Sequence, residues 1–408
     1  MEKKKYLTPF GVLVAIALPF LIKVNNKNTC VNYFDYILIN FNGNCHYNPD
    51  VDLTVPEIIQ KYVGNVQTYN VTTKDGYILT MFRIPREKPR GVVLLQPPIS
   101  AGAIAWLSDG LNSLGVTLWN KGYDVWLSNH RGASYSRNHI NMTDKNPLFW
   151  DYSFHEIALY DLDAQFEVIN QETNSQVIFI GYSMSSTLGL TYASLQPELS
   201  KKYVKSYILV APVVLMENFS SLFKFLFYAM YPLESFFRIG EFMTFEAVRW
   251  FGSFVNVAPA VVNFVTSLVM GWTIDEMDPV LYPYIFAHHG RGITNKMLYH
   301  YGQIFFNQSH FLMYDYGTES NRVVYGSNLP PSYPLQNIDS SMYFIYGDND
   351  KLATPADVKN LYDLLPRGQL RGKYKIENHN HIDYFFSKYR RSKTYKSIYN
   401  ILENLEEL

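Results

Sequence analysis

The chain has 408 residues, 48% of them hydrophobic, with 33 Tyr and 27 Phe. That is enough apolar mass for one large core plus an appended subdomain, and it excludes a disordered chain. The formal net charge of −1 leaves no basic field for nucleic acid, and the Lys and Arg between Lys388 and Lys396 read as a solvated helix face. Two cysteines in the whole chain argue against thiol catalysis and cysteine-rich zinc sites, and neither a metal nor a cofactor is expected.

Lys3, Lys4 and Lys5 precede an uncharged apolar run from Tyr6 to Ile22, the pattern of a positive n-region followed by an h-region. Entry to the secretory pathway is expected, towards an extracellular or lysosomal lumen. Residues 1–22 would be either a cleaved signal peptide, with Ala15-Ile16-Ala17 as a small-x-small site, or an uncleaved membrane anchor. Pro9 and Pro19 weaken a straight span. Residues 23–54 form an N-terminal arm holding Cys30 and Cys45, which can close one disulfide loop in an oxidising compartment. Asn70, Asn141, Asn218 and Asn307 each begin an Asn-x-Ser/Thr sequon, the acceptor pattern for glycosylation in a lumenal protein.

From Val66 onward strands and helices alternate. Tyr69 to Thr73 and Tyr77 to Ile84 read as a hairpin around Asp75-Gly76. Gly91 to Leu95, Asp124 to Leu127, Val177 to Ile180 and Tyr207 to Val210 are short apolar runs of the buried-strand type. Leu159 to Ile169 reads as an amphipathic helix between two of them. Repeated strand–helix–strand units predict an α/β fold, a mostly parallel sheet with helices on both faces. The pattern breaks after residue 212. Residues 213–335 are aromatic-rich and irregularly helical, and predict an inserted cap or lid. Within them Phe251 to Trp272 is uncharged, but Asn256, Pro259, Asn263, Ser267 and Gly271 favour a buried helix pair over a membrane span. Ser341 to Tyr346 and Lys373 to Ile376 return to strand. Residues 55–212 and 336–408 are thus two parts of one core.

Gly181-Tyr182-Ser183-Met184-Ser185 sits between the strand ending at Ile180 and a helix through Leu195. A serine on such a turn has its hydroxyl thrust out of the sheet at a helix N-terminus, which favours developing negative charge. Ordinary helix capping by Ser183, Ser185 or Ser186 would also explain these residues. In this kind of fold an acid and then a histidine follow the serine in the chain. Asp350 lies in Gly347-Asp348-Asn349-Asp350-Lys351 after a strand, with Asp348 as its rival and a turn-forming Asp as the plain alternative. His381 lies in His379-Asn380-His381-Ile382-Asp383 after the last strand, with His379 as its rival. In this scheme neutral imidazole takes the serine proton, the carboxylate orients the imidazole, and backbone N–H groups, here Met184 and Ile99, receive the oxyanion.

With these residues assembled, from about Asn48 to the C-terminus the chain resembles the acid lipase family, which includes gastric and lysosomal acid lipases and insect relatives. The resemblance is carried by Asp75-Gly76-Tyr77-Ile78-Leu79 with Arg83-Ile84-Pro85, and by Gly122 to Asn129 with Arg131-Gly132 and Tyr135-Ser136-Arg137. Phe149-Trp150 with Ser153-Phe154, Glu156 and Tyr160-Asp161 adds to it, as do His300-Tyr301-Gly302-Gln303, Tyr314 to Gly317 and Pro330-Pro331. Asp350-Lys351-Leu352-Ala353 and Asn380-His381-Ile382-Asp383 match as well, and select Asp350 and His381 over their rivals. The resemblance implies an α/β-hydrolase fold, secretion, no metal, and hydrolysis of triacylglycerols or cholesteryl esters at acidic pH and a lipid–water interface. No obligate protein partner is evident. The chain departs from the family where Tyr182, Met184 and Ser185 replace the elbow pattern Gly-His-Ser-Gln-Gly, and where Gln96-Pro97-Pro98-Ile99 replaces Gln-His-Gly-Leu. Met270 stands where a cap cysteine is frequent. These departures bear on the oxyanion hole, since Pro98 fixes φ near −65° where a glycine is free. They motivate a second expectation, a lipase-like lipid-binding protein with impaired catalysis.

Overall fold

The computed structural model describes residues 28–39, 43–242, 258–273, 277–308 and 310–406. The leading segment 1–22, with the small-x-small site expected there, lies outside them. At the start, β1 (Asn28–Cys30) pairs antiparallel with β2 (Cys45–Tyr47), and the register sets Cys30 opposite Cys45. The two cysteines are disulfide-bonded.

The main sheet contains β3 (Gln67–Thr72), β4 (Tyr77–Ile84), β5 (Val92–Gln96), β6 (Asp124–Leu127), β8 (Val177–Tyr182), β9 (Val204–Val210), β10 (Ser341–Gly347) and β11 (Leu370–Ile376), with the two-residue β7 (Asn138–His139) beside β4. Its order is β11-β10-β9-β8-β5-β6-β4-β3. From β11 to β6 every pairing is parallel, and β4 and β3 close the edge antiparallel. Every residue of β5, β6 and β8 is buried, as expected for strands covered on both faces. That burial is why their sequences read as continuous apolar runs. β5 lies between β6 and β8, and after β5 the chain builds β6 on one side before β8 on the other. The crossover direction therefore reverses at β5, and α/β sheets bind ligands outside the strand carboxyl ends at such a point.

The helix expected over Leu159 to Ile169 starts earlier, at Phe154–Glu156, where Ser153 and Glu156 form a capping box. It passes through a π-turn over Ile157–Leu162 before continuing as Asp163–Thr173. The π-turn holds the Asp161 carboxylate against the buried guanidinium of Arg131 at 2.6 Å.

Between β9 and β10 the described residues form no named strand and include the helices Lys224–Met230, Ala258–Met270, Tyr282–His288, Asn295–Asn307 and Thr318–Tyr325. The buried helix pair expected over Phe251 to Trp272 falls partly outside the described residues. Residues 251–257 are not among those described, and the remainder contains the single helix Ala258–Met270. In that helix Asn263 and Ser267 are buried, whereas Phe264 and Val265, like Trp272 just beyond it, are about half exposed. Two polar residues of this helix thus sit inward and two apolar ones outward, while Met270 at its end lines the cavity beside Ser183. No helix among the described residues is long and apolar enough to cross a membrane.

Candidate active site

β8 delivers Ser183. Directly after the strand, Ser183 adopts φ 56° and ψ −116° and caps the helix Met184–Leu195. A non-glycine residue in that region costs on the order of 1–3 kcal/mol and persists only where its surroundings enforce it. Here they do. The Ser183 N–H donates to Val210 O of β9 at 2.9 Å, and the Ser186 hydroxyl donates to Gly181 O and Val210 O. A Cβ on Gly181 would come within 2.8 Å of the Ser185 backbone, which explains the glycine before the serine.

The other two side chains come from loops after β10 and β11. The His381 Nε2 lies 2.7 Å from the Ser183 Oγ, and its Nδ1 lies 2.9 Å from the Asp350 Oδ2. Asp350 is itself over-determined. Its Oδ1 accepts from the backbone N–H groups of Leu352 and Ala353 at 2.9 Å, and the Tyr384 hydroxyl donates to its Oδ2 at 3.2 Å. Burial, followed by the charge of Asp350, holds the Tyr384 phenol well above its usual pKa, so it stays a donor. The rivals are employed elsewhere. Asp348 accepts from the Asn378 N–H at 2.7 Å, and His379 is buried with its ring edge-on to Tyr384. A Cβ on Gly347 would come within 2.3 Å of His379 O, so β10 can pass the histidine loop only with a glycine there.

The segment after β5 completes the rim. Ile99 and Met184 both line the cavity next to Ser183, and no hydrogen bond among the described residues engages either N–H. Ser100 adopts φ 64°, and its carbonyl accepts from the Gly290 N–H at 2.8 Å, tying this loop to the cap. The cavity measures about 290 Å³ and is lined mainly by apolar residues, among them Met216, Phe219, Phe227 and Leu298. His289 also lines it, and burial pushes its imidazole down to about 4, so it is neutral near neutral pH.

A link that sequence reasoning missed joins the cap to both loops. The Met270 carbonyl, at the end of the helix Ala258–Met270, accepts from the N–H of Lys351 at 3.1 Å and of His381 at 3.3 Å. Next to it, Gly271 has φ +129°, and a Cβ there would lie 1.9 Å from Asn349 O. The Asn380 side chain donates to Gly271 O at 2.9 Å and to Thr273 Oγ1, and the Thr273 hydroxyl donates to Asp383 at 2.6 Å. Gly271 in an apolar stretch was the one available signal.

A buried hydroxyl, imidazole and carboxylate in one hydrogen-bonded row, at the mouth of an apolar cavity with two uncommitted backbone N–H groups, suits acyl transfer from a hydrophobic ester. Comparison with known proteins agrees with that chemistry. The signature of the α/β hydrolase fold matches residues 104–241, and that of the partial α/β-hydrolase lipase region matches residues 55–110. Lipase 1 of Drosophila melanogaster is 31% identical over 374 residues, covering 88% of this chain and 81% of that protein. The chain belongs to the acid lipase family. Gastric triacylglycerol lipase of Rattus norvegicus is 28% identical, covering 87% of this chain and 93% of its own length. A solved structure of a soluble monoglyceride lipase variant from Saccharomyces cerevisiae aligns with a TM-score of 0.51 at 13% identity, over 88% of this chain and 97% of that one, which establishes the shared α/β-hydrolase fold. As a member of the acid lipase family the protein is a lipase-type ester hydrolase.

Proposed function

We propose that the protein cleaves carboxylic esters of neutral lipids, triacylglycerols or cholesteryl esters, through an acyl-enzyme on Ser183. The row Ser183–His381–Asp350 opening into an apolar cavity carries this reading. Ser183 attacks the ester carbonyl while His381, neutral, takes its proton; Asp350 fixes the imidazole tautomer and stabilises the imidazolium. The N–H groups of Met184 and Ile99 receive the oxyanion. His381 then returns the proton to the leaving alcohol, and water releases the fatty acid by the same steps reversed.

The cap offers the lipid a landing surface. Leu222, Phe225, Tyr228, Tyr231, Phe237, Phe264 and Trp272 are each 45–61% exposed, an unusual outward share of large apolar side chains. The Cys30–Cys45 disulfide and the exposed sequons at Asn70, Asn141, Asn218 and Asn307 support passage through the secretory pathway. Such a route fits an extracellular or lysosomal lumen, whether or not residues 1–22 are cleaved.

Hydrolysis of long-chain glyceride and cholesteryl esters by the purified protein is the test. Ser183→Ala should lower turnover by on the order of 10⁶. Equal hydrolysis by that variant would end the proposal. Retained lipid binding with no hydrolysis in the parent would establish the lipid-binding alternative.

A further inference from the structure

The geometry points to Tyr182 and Ser185, the residues flanking the elbow where the chain departs from its family, as positioning residues that lock the base and the oxyanion loop onto the nucleophile's own turn. This inference rests on the proposed ester hydrolysis.

Tyr182 is the last residue of β8 and is buried, with its ring packed on Phe385 at 4.8 Å and beside the His381 ring at 5.8 Å. Its hydroxyl donates to the backbone carbonyl of His381. The His381 N–H is held by Met270 O. Both polar groups of the His381 main chain are therefore occupied, one from the elbow and one from the cap. An imidazole on a loop gains a defined direction of attack only if its backbone is fixed as well as its ring.

Ser185 solves a different problem. Pro97 and Pro98 have no N–H, so the two residues leading into Ile99 cannot be anchored through backbone donors. The segment is anchored through its carbonyls instead. Pro97 O accepts from the Ser185 hydroxyl, Pro98 O from the Ala101 N–H at 3.3 Å, and Ser100 O from Gly290 and Arg291. Ser185 is fully buried and sits one residue from the other oxyanion donor, Met184. One hydroxyl thus sets the spacing between the two N–H groups that must face the same oxygen. A glycine at 185 could not supply it. The two departures, proline in one loop and serine in the other, meet in this single contact.

The test compares Tyr182→Phe, Ser185→Ala and Ser185→Thr with the parent on a short-chain p-nitrophenyl ester, alongside thermal melting. Tyr182→Phe and Ser185→Ala should each lower kcat about tenfold with KM within about twofold. Both should melt cooperatively, and Ser185→Thr should recover most of the loss by restoring the hydroxyl. For Tyr182→Phe the rate constant of fluorophosphonate labelling should fall by the same factor as kcat. A merely structural role would lower the melting temperature and leave kcat per folded molecule unchanged. An active parent whose Tyr182→Phe and Ser185→Ala variants keep kcat within twofold overturns this inference alone. An inactive parent overturns the ester-hydrolase reading and this inference with it.

Discussion

Each member of the candidate triad is held by more bonds than its own chemistry requires. Ser183 is forced to φ 56° by β8, β9 and the helix it begins, and Asp350 accepts four hydrogen-bond donors including His381. Replacing the carboxylate by an amide should therefore disturb proton chemistry more than structure. For Asp350→Asn we expect turnover to fall by about 10⁴, because the amide favours the wrong imidazole tautomer, with little change in melting temperature. A variant within tenfold of the parent would remove Asp350 from its assigned role. The candidate segments were placed in sequence by short motifs after strands whose apolar runs fix their ends, and the resemblance to the acid lipases chose Asp350 over Asp348 and His381 over His379. The partners of Tyr182 and Ser185 were not, since they lie 199 and 88 residues away and only the folded chain brings them together.

At the scale of elements, the strands were readable, and the insertion between β9 and β10 was readable as helical but its individual helices were not. Strands buried on both faces leave unbroken apolar runs. The helix Ala258–Met270 instead turns Asn263 and Ser267 inward and Phe264 and Val265 outward, so part of its hydrophobicity reports a surface rather than a core. The π-turn at Ile157–Leu162 and the two-residue β7 leave no periodic trace. The last turn of the helix Ala258–Met270 also touches the loops that carry Asp350 and His381. With a Cβ 1.9 Å from Asn349 O and φ +129°, Gly271→Ala must push the Asp350 and His381 loops apart. It should cost turnover at least about 10²-fold, by analogy with other 1 Å displacements, and should lower the melting temperature. Unchanged kcat would mean the staple is only a packing contact. The N-terminal hairpin braces the cavity from the other side, where the Tyr33 hydroxyl donates to Met277 O at 2.6 Å and the Tyr36 hydroxyl to Pro279 O at 2.7 Å. Reducing Cys30–Cys45, a separation of 15 residues, should cost about 3 kcal/mol, visible as a lower denaturant midpoint. An unchanged midpoint would show that the hairpin is held by those contacts alone.

The whole molecule responds to pH through its buried histidines. Burial pushes His289 and His379 down to about 4 and His300 down to about 3. All three are neutral when folded and gain protons in the unfolded chain near 6.5. The contribution of these three rings is therefore full above about pH 6.5 and is lost as pH falls towards 4, against an opposing contribution from Asp161, whose carboxyl burial raises to about 6. Glu156, held down to about 2 chiefly by the charge of Lys296 against the opposing effect of burial, extends the loss from 4.5 downward. Melting temperature should fall steadily between pH 6.5 and 4, and a flat profile would contradict the burial of these rings. This sets a lower limit on the pH at which the folded protein can work.

The central claim is that Ser183 is an activated nucleophile, and a fluorophosphonate probe tests it most directly, because only an activated serine reacts at low probe concentration. Mass spectrometry of the labelled protein should find one adduct, on Ser183, absent from the heat-denatured protein and from His381→Ala. Native protein that leaves Ser183 unmodified, or labels equally without His381, would contradict the account.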